Sequence, residues 1–382
     1  MSWAIWITGL PGSGKSAITR AAADELRRLG RPVTVLELDE IRRSLTPEPR
    51  YTEGERDGVY HALAYFARLL TAAGRPVIID ATAHRRAWRD RARAAIRRFA
   101  EVQLVCPLPV AQERERSRAV GHAPRDIYRR AAQPGATVPG VNVPYEVALS
   151  PELTLDTSVA PIPDAVARVI MLARDLASRV PAEVQRIASD AQPGWAIWIT
   201  GRPGSGKSTL ATEVTDALTR RGVRARILDH ATARRLLVGE RSMGDAEQDF
   251  LYRVLAYAAK LLTDVGVAVI VDATASRRVW RDAARALIPH FAEIQLVCAS
   301  EVALERERAD RWRRVAQRER DAQRSGSMPD IVLDYEESLH AELHLRTDLH
   351  DVGRAVEQVL VVVHRLQSAS STPFHHTERS KP

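Results

Sequence analysis

One fourteen-residue stretch occurs twice in this chain, WAIWITGLPGSGKS over residues 3–16 and WAIWITGRPGSGKS over 195–208, and the copies differ only at Leu10 and Arg202. Each begins as a short apolar strand, passes into G-x-x-x-x-G-K-S and continues as a helix-like pattern. That order fixes the local architecture. Glycines let successive backbone N–H groups turn inward around phosphate oxygens, and the following helix adds its positive end. The lysine reaches the terminal phosphates, and the serine hydroxyl suits magnesium. Gly9, Leu10, Pro11, Gly12, Ser13, Gly14, Lys15 and Ser16 are thus read as one ATP-binding loop. Gly201, Gly204, Ser205, Gly206, Lys207 and Ser208 are read as a second. The chain has only four lysines, Lys15, Lys207, Lys260 and Lys381, and otherwise uses arginine. Two of those four stand in the loops, where a compact ammonium must fit among phosphates.

The spacing of 192 residues between Lys15 and Lys207 also carries Asp80 onto Asp272, Trp88 onto Trp280 and Cys106 onto Cys298. Beyond the cysteines the register drifts, yet VPGVNVPYE still echoes in MPDIVLDYE. A repeat this long is a tandem duplication of a domain rather than a solenoid. Within each half, four apolar strands alternate with amphipathic helices, some closed by glycine, as at Gly30 and Gly74. The expected fold class is α/β: two tandem P-loop kinase domains, each a parallel sheet with helices on both faces. The expected boundaries are 1–178 for the first domain, 179–193 for a linker, 194–366 for the second domain and 367–382 for a disordered polar tail.

Composition narrows the classes further. Hydrophobic content of 45% and charged content of 27% suit a soluble globular protein. No run is apolar enough to span a membrane, and the N-terminus reads directly as a strand, so a cytoplasmic location is expected. Two cysteines cannot build a disulfide framework, and each closes a strand as a small buried hydrophobe would. The net charge of +8 comes from arginines interleaved with acids, as in RRAWRDRARAAIRR, which reads as solvated helix faces rather than a nucleic-acid stripe. The expected partners are small molecules, and the duplication suits either a homodimer or a pairing of the two halves.

The halves diverge where a phosphoryl acceptor would lie. Asp80 and Asp272 end the third strands, the usual place for a carboxylate that holds magnesium through water, beside Ser16 and Ser208. Asp39, just after strand two, is a candidate base or magnesium partner. Arg42 and Arg56 suit an anionic acceptor, and Tyr51 could stack on a base. In the second half Asp39 becomes Ala231, Tyr51 becomes Met243 and Arg56 becomes Gln248, while Arg42 survives as Arg234. Trp88 and Trp280, kept in both halves, read as packing residues. His84 corresponds to Ser276, which argues against a shared metal ligand.

With WITGLPGSGKS, LDEIR, YTEGER and DIYRRA…VPGVNVPYEVALSPELTLDT, the first half resembles the adenylylsulfate kinase family across almost its whole length. The resemblance implies transfer of phosphate from ATP, with Mg2+, to the ribose 3′-hydroxyl of adenosine 5′-phosphosulfate, a step in sulfate assimilation. It implies Lys15 and Asp39 as catalytic residues, to which the strand-end position adds Asp80. Asp39, Arg42, Tyr51, Arg56, Arg129 and Val138 would form the acceptor site, with Arg130 beside Arg129 in a lid. Departures are visible too. Glu37, Leu38 and Asp39 replace the family's Asp-Gly-Asp, Val59 replaces an asparagine, Val138 replaces a stacking phenylalanine, and DATAH at 80–84 replaces Ser-Phe-Ile-Ser-Pro. Two alternatives stay open: a kinase of another hydroxyl, such as a polynucleotide 5′ end or a small metabolite, and a second half that binds nucleotide for regulation only.

Overall fold

A computed structural model describes residues 2–117, 126–133, 135–180, 194–238, 243–309 and 335–370. The chain divides into two compact units, Met1–Asp190 and Ala191–Pro382. The first contains β1 (Ala4–Thr8), α1 (Lys15–Arg28), β2 (Thr34–Glu37), α2 (Leu38–Leu45), α3 (Glu53–Ala72) and β3 (Val77–Asp80). It continues with α4 (Arg86–Ala95), β4 (Phe99–Val105), α5 (Leu108–Arg116), α6 (Ile127–Arg130), β5 (Leu153–Asp156) and α7 (Ile162–Ser178). The sheet runs β2-β3-β1-β4-β5 with every pairing parallel.

Strand β1 shows how the sequence builds two layers. Successive side chains of a strand face opposite ways. Ile5 and Ile7 therefore join Ile18, Ala22 and Leu26 of α1 and Val169 and Ala173 of α7 in one core. Trp6 faces the other way, toward Tyr60 of α3 and Phe99, with ring centroids 6.5 Å from each. Its indole N–H donates to the Ala81 carbonyl at 3.0 Å, which satisfies the polar atom of a fully buried ring. Helices thus cover both faces of a parallel sheet, as the alternating pattern requires.

The second unit repeats the plan with β6 (Ala196–Gly201), α8 (Lys207–Arg220), β7 (Ala225–Asp229), α9 (His230–Leu237) and α10 (Asp245–Asp264). Then come β8 (Ala268–Asp272), α11 (Arg278–Leu287), β9 (Phe291–Val297), β10 (Leu343–Arg346) and α12 (Val352–Ser370). Its sheet order, β7-β8-β6-β9-β10, is that of the first unit strand for strand. The equivalent indole N–H, on Trp198, is buried without a partner among the described residues.

Three features differ from the sequence reading. Each sheet has a fifth strand, LTLD or LHLR, four residues long at an edge and too short for periodicity to separate from a turn. Helix α12 reaches Ser370, past the boundary expected at 366; residues 371–382 of the expected tail, with most of the expected linker, lie outside the described residues. The arginine-rich helices are not wholly solvated. Arg89 and Arg281 are buried, pairing with Glu101 at 2.6 Å and Glu293 at 2.8 Å. Each falls on the sheet-facing side of its helix beside a tryptophan, where only a matched carboxylate on β4 or β9 makes a buried guanidinium tolerable. No described helix is long and apolar enough to cross a membrane.

Candidate functional site

The first loop leaves β1 at Gly9 and enters α1 at Lys15. Its shape depends on Gly12, which has φ +77° and where a Cβ would stand 2.1 Å from the Ala111 carbonyl oxygen. No other residue fits so close to another backbone in that conformation. The loop is pinned from β5's end, where the buried Thr157 hydroxyl donates to Ser13 O at 3.0 Å. Lys15 Nζ donates to the Gly9 and Leu10 carbonyls at 3.1 and 2.9 Å.

The ends of β2 and β3 bring acids to the same edge. Glu37 and Asp80 are register partners on neighbouring strands. Asp80 hydrogen-bonds Ser16, and Lys15, Glu37 and Asp39 all act on it electrostatically. Burial raises the Asp80 carboxyl above the usual carboxylate range, and the Lys15 ammonium and the Ser16 hydroxyl oppose that rise. A hard divalent cation suits this set, because an oxygen-rich pair would satisfy a carboxylate that burial otherwise disfavours. Among the described residues no group of three or more His, Cys, Asp or Glu side chains could hold a metal. The fit therefore rests on Ser16 and Asp80 with phosphate oxygens, rather than on an all-protein cage.

Beside these acids stand two guanidinium groups and a ring. Arg42 lies 5.2 Å from the centroid of Tyr51, whose backbone is left-handed at φ 54°. Thr52 caps α3 by accepting from the Glu55 amide at 3.2 Å, which sets where Tyr51 leaves the helix. Arg56 donates to the Thr137 carbonyl at 3.0 Å, and burial lowers its pKa. The Nε atoms of Arg42 and Arg56 are sealed from solvent without partners among the described residues. Asp39, Arg42 and Arg56 all act on Tyr60, the buried tyrosine of α3 that stacks on Trp88 at 4.0 Å. The structure thus gathers Lys15, Ser16, Asp80, Asp39, Arg42, Arg56 and Tyr51. Val138 is buried in the turn next to Thr137, its amide bound to Asn142 Oδ1 at 2.6 Å. Arg129 and Arg130 lie exposed on α6, Arg129 facing Asp126 at 3.9 Å.

The sequence reading passed over several residues. Tyr128, between Ile127 and Arg129, donates to the Pro11 carbonyl at 2.7 Å and ties α6 to the phosphate loop. Gly140 brings the turn after it onto Leu10, leaving room for a Cβ only 2.7 Å from Leu10 Cδ2. Arg89 holds the loop after β3, donating to Ala83 O and, at 2.5 Å, to Glu146 O. Thr157 was visible only as the end of LTLDT. Tyr128 and Thr157 gave no signal of these roles, because each acts on a backbone carbonyl far along the chain. Trp88 and Trp280 are both buried, stacked on Tyr60 and Tyr252 and bonded to Asp57 and Asp249 at 2.7 Å.

The second loop repeats the first. Lys207 Nζ donates to the Gly201 and Arg202 carbonyls, both at 3.0 Å, and Thr347 donates to Ser205 O at 2.9 Å. Asp272 hydrogen-bonds Ser208 and is likewise raised by burial, while burial lowers Lys207 to about 8. The acceptor side is not repeated. Asp229 caps α9 by accepting from Ala231 N and Thr232 N at 3.0 and 2.8 Å, and His230 stacks on Tyr252.

A family-wide sequence profile, adenylylsulphate kinase, matches residues 1–156 and again 193–346. The chain belongs to that family. Similar proteins include the adenylyl-sulfate kinase of Rippkaea orientalis, 32% identical, with 43% of this chain and 87% of the relative covered. The probable adenylyl-sulfate kinase of Archaeoglobus fulgidus is 34% identical over 41% of this chain and 97% of its own. Among solved structures, the Mycobacterium tuberculosis APS kinase CysC with AMPPNP and APS is 24% identical, over 45% of this chain and 98% of its own, with a TM-score of 0.38. Membership makes the chain a kinase of the adenylylsulphate kinase family, present as two tandem copies.

Proposed function

We propose that the first unit phosphorylates the 3′-hydroxyl of adenosine 5′-phosphosulfate from ATP in the cytosol, and that the second unit binds Mg-ATP without completing an acceptor site. The observation that carries this is that Asp39 acts electrostatically both on Asp80, which Lys15 and Ser16 also reach, and on Tyr60, which Arg42 and Arg56 also reach. Loop N–H groups and the Lys15 ammonium hold the β- and γ-phosphates where charge builds during transfer. Ser16 and Asp80 would hold magnesium, which supplies neutralisation of phosphate oxygens when bound. Arg42 and Arg56 bind the anionic phosphosulfate, and Tyr51 lies against its adenine. Asp39 orients the 3′-hydroxyl and accepts its proton as the new P–O bond forms. The bond from the γ-phosphorus to ADP breaks, leaving ADP and 3′-phosphoadenosine 5′-phosphosulfate.

The test mixes full-length protein, Mg-ATP and adenosine 5′-phosphosulfate, with RNA and DNA oligonucleotides as rival acceptors. The 3′-phosphorylated nucleotide is expected and the oligonucleotides stay unlabelled. Labelled oligonucleotides with no such product would overturn the choice of acceptor.

A further inference from the structure

His84 is a buried polar side chain that neither the fold nor the proposed mechanism uses. It stands on the loop after β3, four residues beyond Asp80, and is 7% exposed. Among the described residues no side-chain hydrogen bond joins the ring to a neighbour, and neither nitrogen is among the polar atoms that are both sealed and unpartnered. Burying an imidazole without a partner is costly. A ring that is largely buried yet not fully sealed can still present its N–H to a polar atom of another molecule.

Everything around the ring fixes it in place. It stands near-perpendicular to the Trp88 ring, with centroids 4.9 Å apart and planes at 86°, and its own carbonyl accepts from the Glu146 amide at 2.8 Å. The preceding residue, Ala83, is left-handed at φ 39°, its N–H held by Tyr60 Oη at 3.0 Å and its carbonyl by Arg89. Loop, tryptophan and tyrosine thus form one rigid block, and Tyr60 in that block is the residue on which Asp39, Arg42 and Arg56 act. The charges that reach the ring are the cations Arg56 and Arg89 and the carboxylates Glu146 and Asp57. Burial foremost, and Arg56 next, hold it down to about 4, so the ring is neutral, with one N–H to donate.

The second unit supplies the contrast. Ala275 keeps the left-handed backbone at φ 42°, Tyr252 Oη holds its amide at 3.0 Å, and Arg281 holds its carbonyl. Only the side chain that follows has changed, to Ser276. The frame persists without the imidazole, so the frame does not require it. The imidazole is absent from the unit in which Asp39, Tyr51 and Arg56 are also replaced.

From this we infer that His84 is an acceptor-binding residue of the first unit, donating its ring N–H to an anionic oxygen of the phosphoryl acceptor beside Arg56. The inference rests on the acceptor proposed above.

The experiment compares wild type, His84→Ser and His84→Asn as full chains, with KM and kcat measured for each substrate. The serine variant should raise KM for adenosine 5′-phosphosulfate about ten- to a hundredfold, the size of a lost hydrogen bond to a charged group. Its KM for ATP and its kcat should stay within about threefold, and asparagine, which keeps a donor, should recover much of the loss. In wild type, the His84 ring ¹⁵N signals should move when adenosine 5′-phosphosulfate is added and stay still with the non-hydrolysable ATP analogue alone. An unchanged acceptor KM in His84→Ser, or equal losses toward both substrates, would overturn the inference and leave His84 a packing residue. Wild type that fails to phosphorylate adenosine 5′-phosphosulfate would instead overturn the acceptor reading itself, and this inference with it.

Discussion

The two units share one half of their machinery and differ in the other. On the nucleotide side the match is nearly atom for atom. Each lysine bonds two loop carbonyls, each Thr157-type hydroxyl pins the loop, each loop serine bonds a buried aspartate, and a Cβ added to either middle glycine would stand 2.1 Å from an alanine carbonyl oxygen. On the acceptor side the first unit has a carboxylate, two guanidinium groups and a stacked tyrosine. The second keeps only Arg234, and its Asp229 is spent on capping a helix. Even the single difference between the loops follows this division. Leu10 packs under Gly140 of the turn that closes on the first loop, whereas the second half has Arg202 and, in the aligned motif, Asp330. Phosphate binding is carried by backbone geometry that two near-identical loops preserve together. Acceptor binding is carried by separate side chains, which can be lost one at a time.

The largest effect expected from breaking this comparison comes from giving the first unit the second's residue. Asp39→Ala should lower kcat about 10²- to 10⁴-fold, the range for loss of a positioned acid–base group, with the dissociation constant for the ATP analogue little changed. Steady-state kinetics and calorimetric binding on the same sample check it. A fall in nucleotide affinity of similar size would mean that Asp39 belongs to the shared half.

Next come the buried ion pairs, which both units keep. Arg89→Met should cost about 3–5 kcal/mol, because it strands Glu101 in the core and frees the Ala83 carbonyl. Arg281→Met should cost a comparable amount in the second unit, through Glu293. Denaturant unfolding of the two variants would show it, and a loss confined to one unit would make these pairs part of the divergence.

A smaller effect concerns pH. Nucleotide phosphate favours a charged Lys207, whose ammonium dissociates near 8 because burial disfavours it. Above that pH, binding must take up a proton, so affinity at the second loop should fall, by no more than tenfold per unit. The folding linkage runs the other way. Between about 8 and the unfolded value of 10.5 the unfolded chain holds a proton that the folded unit lacks, so stability from this group rises with pH. Calorimetric titration of a Lys15→Ala chain with the ATP analogue from pH 7 to 9.5 measures the affinity limb.

How much of this was legible in the sequence depends on how locally each feature is encoded. The loops and Asp80 with Asp272 were readable, because strand, glycine loop and helix follow one another directly. Asp39 and Arg56 could be singled out where the halves differ at a fixed offset, and Arg42 by its place just after strand two. What stayed hidden was long-range. Arg89 reads as one charge among many until Glu101, on another strand, makes its burial tolerable. Tyr128 and Thr157 act on carbonyls more than a hundred residues away. His84 resembled a stray histidine, because nothing local reveals that its ring is buried and unpartnered. The fifth strands were too short to show a period.

The measurement that bears most directly on the division between the units is phosphotransfer by two full-length variants, Lys15→Ala and Lys207→Ala, assayed with Mg-ATP and adenosine 5′-phosphosulfate. Lys15→Ala should lose transfer by about 10²-fold or more, as expected when a donor aimed at the developing charge is removed. Lys207→Ala should keep kcat within about threefold of wild type while losing one nucleotide-binding equivalent per chain. Loss of transfer in Lys207→Ala with retention in Lys15→Ala would contradict this division and exchange the roles of the two units.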